Sequence, residues 1–227
     1  MKLPDNLIEG VFVRRLNRFV AEVEVAGQPT LAHVPNSGRL RELLSPGAPV
    51  LLAPRAGVRR TCLDLALVWS GAHLVSVDAR LPGQLLSEAL AAGAFPDLGP
   101  VQAVHREVRV GASRLDLLVE SPGGPWYIEA KSVTLVRDGV ARFPDAPTAR
   151  GLRHVEELRR LAMAGGRAAI AFVIQREDAE VLRPHEEADP AFAAALRRAA
   201  SVVHMVACVC RVSREEIAIE RRVPVLL

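Results

Sequence analysis

The sequence predicts a chain of two parts, a small β-barrel over residues 1–79 followed by an α/β (α+β) domain over residues 80–227. Three observations predict it. Up to about residue 79, short alternating segments are separated by Pro, Gly and Asn turn clusters. Beyond Leu81, apolar strands interleave with segments of helical period. The change of texture falls at residues 77–82, which places the boundary there.

In the first part, residues 19–25 alternate, with Phe19, Ala21, Val23 and Val25 apolar and Glu22 and Glu24 between them. Gln28-Pro29 turns the chain into a second strand over 30–34. Pro35-Asn36-Ser37-Gly38 is the next turn, and residues 39–44 read as a short helical piece. Pro46-Gly47 precedes Val50-Leu51-Leu52, and residues 62–69 and 73–77 are two further strands. Five or so short strands of this kind suit a small barrel such as the oligonucleotide-binding fold. Periodicity alone does not separate that fold from an SH3-like barrel.

In the second part, residues 85–92 read as a short helix stopped at Gly93, and residues 103–110, 114–120 and 126–133 as strands. A helix over 148–163 carries the apolar stripe Leu152, Val155, Leu158 and Ala162, with Gly165-Gly166 as its stop. Residues 168–174 form an unbroken apolar run, as in a strand buried on both faces. A helix over 190–200 and a last strand over 202–212 follow.

Composition narrows the classes. The 227 residues hold 29 basic and 26 acidic side chains, 3 cysteines and 50% hydrophobic residues. That mix excludes disorder. No apolar run is long enough for a membrane span, and the N-terminus lacks a charged-then-apolar export pattern. The odd cysteine count argues against a disulfide framework and points to the cytoplasm. Of the 29 basic residues 27 are Arg, leaving only Lys2 and Lys131 as lysines. Arg14, Arg15 and Arg18, and then Arg55, Arg59 and Arg60, form local clusters that suit phosphate contacts.

Chemistry concentrates near the middle of the chain. Asp116 interrupts an apolar strand, and Glu129 and Lys131, two apart on another, project from the same face. Ser121-Pro122-Gly123-Gly124 reads as the turn of a hairpin that sets Asp116 opposite Glu129, about 5 Å away at Cβ. Two adjacent carboxylates repel, and a divalent cation relieves that repulsion. Mg²⁺ or Mn²⁺ suits the set, since such ions take one or two carboxylates and keep positions for water and phosphate oxygens. An Asp followed by Glu-x-Lys on a hairpin resembles the PD-(D/E)xK nuclease superfamily. Glu88, on the preceding helix, is the candidate third carboxylate. Arg150 and His154, four apart, share a helix face and are candidates to meet a phosphate. Asn36, Ser37 and Gly38 suit an anion-binding backbone turn with Arg39 beside it; an Asx-type structural turn fits the same residues.

Longer segments make the resemblance specific. Residues 33–39 (HVPNSGR), 113–116 (SRLD), 127–135 (YIEAKSVTL) and Phe143-Pro144-Asp145-Ala146 through Arg150-Gly151 and His154 resemble the sugar fermentation stimulation protein A family, in order and over essentially the whole chain. The resemblance implies an OB-like barrel joined to a PD-(D/E)xK nuclease-like domain, with sequence-tolerant DNA binding. Ser37 stands where that family commonly has Thr, Ala130 where it has Val, and Ala149 where it often has Glu. The expectation is a DNA-binding, metal-dependent nuclease acting on DNA, single-stranded and hybrid forms included. Asp116, Glu129 and Glu88 hold the metal in this reading, and Lys131 activates the water. Arg14, Arg15, Arg18, Asn36, Ser37, Arg39, Arg150 and His154 contact phosphate. The alternative is a non-cleaving transcriptional regulator on the same scaffold.

Overall fold

A computed structural model describes residues 1–55, 61–110 and 113–227. Arg59 and Arg60 lie outside the described residues. The first six strands are β1 (Ile8–Asn17), β2 (Val20–Val25), β3 (Gln28–His33), β4 (Pro49–Pro54), β5 (Leu63–Ser70) and β6 (His73–Ser76). They form one sheet in the order β3-β2-β1-β4-β5-β6, and a β3–β5 pairing at Ala32↔Leu63 and His33↔Asp64 closes it into a barrel. Its core is built from inward residues of the alternating strands, among them Phe12, Val23, Leu52, Leu65 and Val75. Residues 39–44 are not helical. They make a turn closed by the Leu44 N–H on the Leu40 carbonyl (2.8 Å). Helical spacing in so short a segment has no propagation to offset its nucleation cost.

The second part begins with α1 (Pro82–Ala91), whose proline lies in the first turn, where the missing N–H costs nothing. Then come β7 (Ala103–Val110), β8 (Ser113–Glu120), β9 (Trp126–Val133), β10 (Val136–Arg137), β11 (Val140–Phe143), α2 (Ala149–Met163), β12 (Arg167–Ile174), β13 (Val181–Pro184), α3 (Pro190–Ala199), β14 (His204–Val212) and β15 (Ile217–Val223). The main sheet runs β15-β14-β12-β9-β8-β7, and β10, β11 and β13 form a small second sheet. The central strands β9, β12 and β14 are parallel, and antiparallel hairpins flank them. Strand β12 is buried along nearly its whole length, as its unbroken apolar run requires.

Helices α2 and α3 cover one face of this sheet, with Val155, Leu158, Phe192 and Leu196 meeting Ile170 and Phe172. Helix α1 covers the other through Leu86 and Leu90. Both α2 and α3 are capped by side chains the sequence supplies: Thr148 Oγ1 accepts from the Gly151 N–H (2.9 Å), and Asp189 Oδ1 accepts from Phe192 (2.9 Å).

An apolar seam joins the two parts. Leu51 and Leu67 of the barrel pack with Leu85, Val173, Cys210 and Ile217, all at most 1% exposed. Each such leucine contributes about 1.5–3 kcal/mol relative to exposure. Gln175, fully buried, completes the junction. Its amide donates to Asp78 O (3.0 Å) and Ser132 Oγ (2.8 Å) and accepts from Ser76 Oγ (3.0 Å). His204 is partly exposed and pairs with Asp97 (2.7 Å). Among the described residues no helix is long and apolar enough to cross a membrane.

Candidate functional site

The β8–β9 ladder runs over Val119↔Trp126, Leu118↔Tyr127 and Leu117↔Ile128, and Asp116 follows at its end, next to Glu129 and Ala130. Asp116 Oδ2 accepts from the Ala130 N–H (2.8 Å), which fixes its carboxylate beside β9. Glu129 and Lys131 share the face of β9 covered by α2. Lys131 Nζ donates to Glu129 Oε1 at 2.6 Å. His154 reaches the same oxygen through Nδ1, and Nζ lies 3.4 Å from that nitrogen. All three side chains are buried, Glu129 at 3%, Lys131 at 9% and His154 at 2% exposure. Among the described residues Glu129 Oε2 has no hydrogen-bond partner.

These environments push the two carboxyls apart. Burial and then the neighbouring Glu129 charge hold Asp116 above the ordinary range. Burial also pushes Glu129 up, but the His154 hydrogen bond and the Lys131 ammonium outweigh it and hold Glu129 below its ordinary value. A buried carboxylate oxygen without a donor calls for an explanation. Set beside a half-buried Asp116 at the floor of an open cleft, it has the donor chemistry of a hard divalent cation that keeps water or phosphate ligands. It is not a closed cage, and among the described residues no group of three or more His, Cys, Asp and Glu could hold a metal ion.

Glu88 does not join the set. Its carboxylate pairs with the N-terminal ammonium (2.9 Å) and accepts from Gln84 (3.0 Å), and it does not line the cleft. Helix α1 turns that face toward the chain's start. His154 does not face the cleft either; helix docking turns its ring onto Glu129. Arg150, one turn earlier, is exposed and lines the cleft.

The cleft, about 1220 Å³, lies between the barrel and the main sheet. Arg14, Arg15, Arg18, Asn36, Ser37 and Arg39 all line it. So do four arginines the sequence reading missed, Arg41, Arg80, Arg106 and Arg114, together with Glu107. Glu107 has φ +58 and interrupts the β7–β8 ladder between Arg106↔Leu117 and Val108↔Leu115. Nothing in an alternating strand signals that left-handed residue.

Two expectations about phosphate contacts need correction. Arg15 is not available to a ligand, because its guanidinium donates to Asn36 O (2.7 Å), Gly38 O (2.6 Å), Arg39 O (3.0 Å) and Arg18 O. The turn at 36–40 does bind an anion, but that anion is the chain's own Asp145. Its Oδ2 accepts from the Arg39 N–H (2.6 Å) and the Leu40 N–H (3.2 Å). Asn36 is internal to the turn: its side chain accepts from Gly38 N (2.8 Å) and donates to Val77 O (3.0 Å). The exposed Ser37 and Arg39 side chains stay open to a ligand. Arg14 is half committed, to Glu22 (2.9 Å).

Near this turn, Glu42 Oε1 is buried without a partner among the described residues. Burial and then the Asp145 charge raise its carboxyl, against the opposing pull of its own backbone hydrogen bond and of the Arg176 and Arg137 charges. A carboxyl raised in the folded state binds its proton more tightly there than when unfolded, so its stabilising effect is lost as pH climbs through the folded value. Glu42→Gln is therefore expected to increase stability at pH 7–8, with the gain vanishing below about pH 4.3, the ordinary Glu value. Denaturant unfolding of both proteins across that pH range checks it. A gain that persists unchanged at low pH would contradict the titration.

Comparison with known proteins agrees with this architecture. Residues 13–77 match the family model described as the SfsA N-terminal OB domain, and residues 80–216 match the sugar fermentation stimulation protein RE domain. The chain is 48% identical over 204 residues to a sugar fermentation stimulation protein homolog of Moorella thermoacetica, covering 88% of each chain. It is 45% identical over 232 residues to the homolog of Acetivibrio thermocellus, covering 100% of both. The solved structure of Pyrococcus furiosus SfsA in complex with Ca²⁺ superposes with a TM-score of 0.92 at 32% identity, covering 100% of this chain and 98% of that one. An OB barrel packed on a mixed sheet with three helices, matched along its whole length, leaves one assignment: the chain belongs to the sugar fermentation stimulation protein family.

Proposed function

We propose that the chain is a metal-dependent nuclease of the PD-(D/E)xK type that holds DNA, single-stranded and hybrid forms included, in the cleft and hydrolyses a phosphodiester bond at its floor. One observation carries this reading. Glu129 is buried beside Asp116 with one oxygen bound by Lys131 and His154 and the other, among the described residues, without a partner, under a cleft lined by nine arginines. Asp116 and Glu129 would hold Mg²⁺ or Mn²⁺. Such a cation, when bound, lowers the pKa of water and offsets charge on the scissile phosphate. Lys131, a compact ammonium with rotatable donors, orients the attacking water and meets the charge that develops. His154 holds Glu129 in place. Arg150 and the barrel arginines hold the phosphates on either side. The Ca²⁺ named with the Pyrococcus furiosus relative supports a divalent-cation site. The cytoplasm suits the buried thiols Cys208 and Cys210, which burial pushes up and makes unreactive.

A second reading has its own observation. Lys131 already offsets the Glu129 charge and His154 hydrogen-bonds the same oxygen, so the chain's own side chains hold this carboxylate. That suits a non-cleaving, sequence-tolerant DNA-binding regulator on a nuclease-like scaffold. Incubating the purified chain with plasmid, single-stranded DNA and an RNA–DNA hybrid, each with Mg²⁺, Mn²⁺ or EDTA, separates the two. The nuclease reading expects cleavage of at least one substrate that EDTA and Asp116→Asn both abolish. Retained DNA without cleavage under any metal would leave the regulator.

A further inference from the structure

We propose that Asp145 is a positioning residue that fastens the barrel's 36–40 turn to the segment feeding α2, so that the barrel and the Glu129–Lys131–His154 cluster act as one unit. The contact spans more than a hundred residues of sequence: Asp145 Oδ2 takes the Arg39 N–H at 2.6 Å and the Leu40 N–H at 3.2 Å. Backbone amides donating to a carboxylate make charge-assisted bonds, about twice as strong as neutral ones. The turn is shaped for this carboxylate. A Cβ at Gly38 would stand 2.6 Å from Asp145 Oδ2 and 3.1 Å from Oδ1, so a side chain there would push this carboxylate out of the turn. Leu40 holds φ +51 with its side chain buried in the barrel. A leucine in that region costs free energy and persists only where its surroundings over-determine it. Arg15 supplies the opposing grip by taking the turn's carbonyls, at 2.6–3.0 Å, from the other side.

From Asp145 the path to the cluster is short and firmly held. Pro144 O accepts from His185 Nδ1 (3.0 Å). The Thr148 N–H donates to Asp189 Oδ2 (2.8 Å), and Thr148 O accepts from the Leu152 N–H (3.0 Å). Helix α2 then carries Arg150 into the cleft and His154 onto Glu129. The turn, Asp145, Arg150 and Glu129 all line the same cleft. A residue that sets the start of α2 against the barrel therefore sets the distance between the grip on the strand and the reacting groups. An error of about 1 Å in such a distance can cost on the order of 100-fold in rate.

The rate part of this inference rests on the nuclease reading; the coupling part does not. The test uses the full chain as Asp145→Ala, Gly38→Ala and Asp145→Asn, whose amide oxygen can still accept. Amide hydrogen exchange reports local opening. In both alanine variants it is expected to speed up at Arg39 and Leu40 and also at Thr148, Gly151 and Leu152, by about tenfold or more. Asp145→Asn recovers most of the protection. Cleavage falls in kcat by about 10- to 100-fold in the alanine variants, while KM for DNA stays within about twofold. Faster exchange confined to residues 39–40 overturns the coupling, as does a loss of DNA affinity with kcat unchanged, which would make Asp145 part of the grip. If exchange spreads to α2 but the unaltered chain cleaves nothing, the coupling stands and the nuclease reading falls.

Discussion

Lys131→Ala is expected to slow phosphodiester cleavage by about 10²–10³ while DNA affinity changes by less than about twofold. The asymmetry follows from where Lys131 sits. Its ammonium lies at the floor of the cleft, 9% exposed and 2.6 Å from Glu129, so it adds little to the exposed surface that meets the strand. Its assigned partners are the attacking water and the charge that develops on the phosphate. Interactions that strengthen only in the transition state are lost from rate, not from affinity. Arginine is a poor replacement, because a planar fork cannot take the place of a compact point charge against one carboxylate oxygen. Removing Lys131 leaves Glu129 with His154 alone, so a thermal transition measured alongside separates lost chemistry from lost fold. Cleavage by a folded Lys131→Ala protein at the original rate would remove Lys131 from the mechanism and leave the nuclease reading standing. A parallel loss of affinity and rate would instead make it a phosphate contact.

The parts of this architecture legible in the sequence are those set by local pattern. β7 and β9 fall on the expected residues, and β8, β12, α2 and α3 differ from them by about a residue. Unbroken or alternating apolar runs and good caps marked each of them. β1 was missed because register shifts at Phe12/Arg14 and Arg15/Asn17 break its alternation, and its arginines read as surface. β10, β11 and β13 hold two to four residues each, too few for a period. β15 is an edge strand whose Ile217 and Ile219 alternate, but Arg221 and Arg222 end the signal. The site divides in the same way. The placing of Asp116 against Glu129, and of Lys131 beside it, was legible because a hairpin and a two-residue spacing fix it. The turn of His154 onto Glu129, the commitment of Arg15 to carbonyls, and Asp145 in the 36–40 turn were not. Each depends on how distant elements dock, which no local spacing records.

Affinity for duplex DNA is expected to fall by about 500-fold between 50 and 200 mM salt, with little dependence on sequence. Among the described residues, Arg18, Arg39, Arg41, Arg106 and Arg150 line the cleft with no side-chain hydrogen bond or ion pair. Arg14 and Arg80 also line it but are held by carboxylates, Arg80 by Asp78 and by Asp64 at 2.8 Å, and Arg15 is held by carbonyls. Five uncommitted arginines, each neutralising one phosphate, give a slope of log K against log salt near −4.5 on duplex and near −3.5 on a single strand. Among the described residues no helix stands out into solvent to enter a major groove; α1, α2 and α3 all bury a face on the main sheet. Phosphate contacts fix register and orientation but carry no base information, which is why scrambled sequences should bind alike at equal salt. Replacing Arg39 or Arg106 with Ala should each lower the slope by about 0.9 on every duplex tested. Arg15→Ala should disturb the 36–40 turn instead, and so change stability more than slope. A flat salt response would put the strand outside this cleft, and a tight preference for one operator over its scrambled copy would require a base-reading element that phosphate-held arginines do not supply.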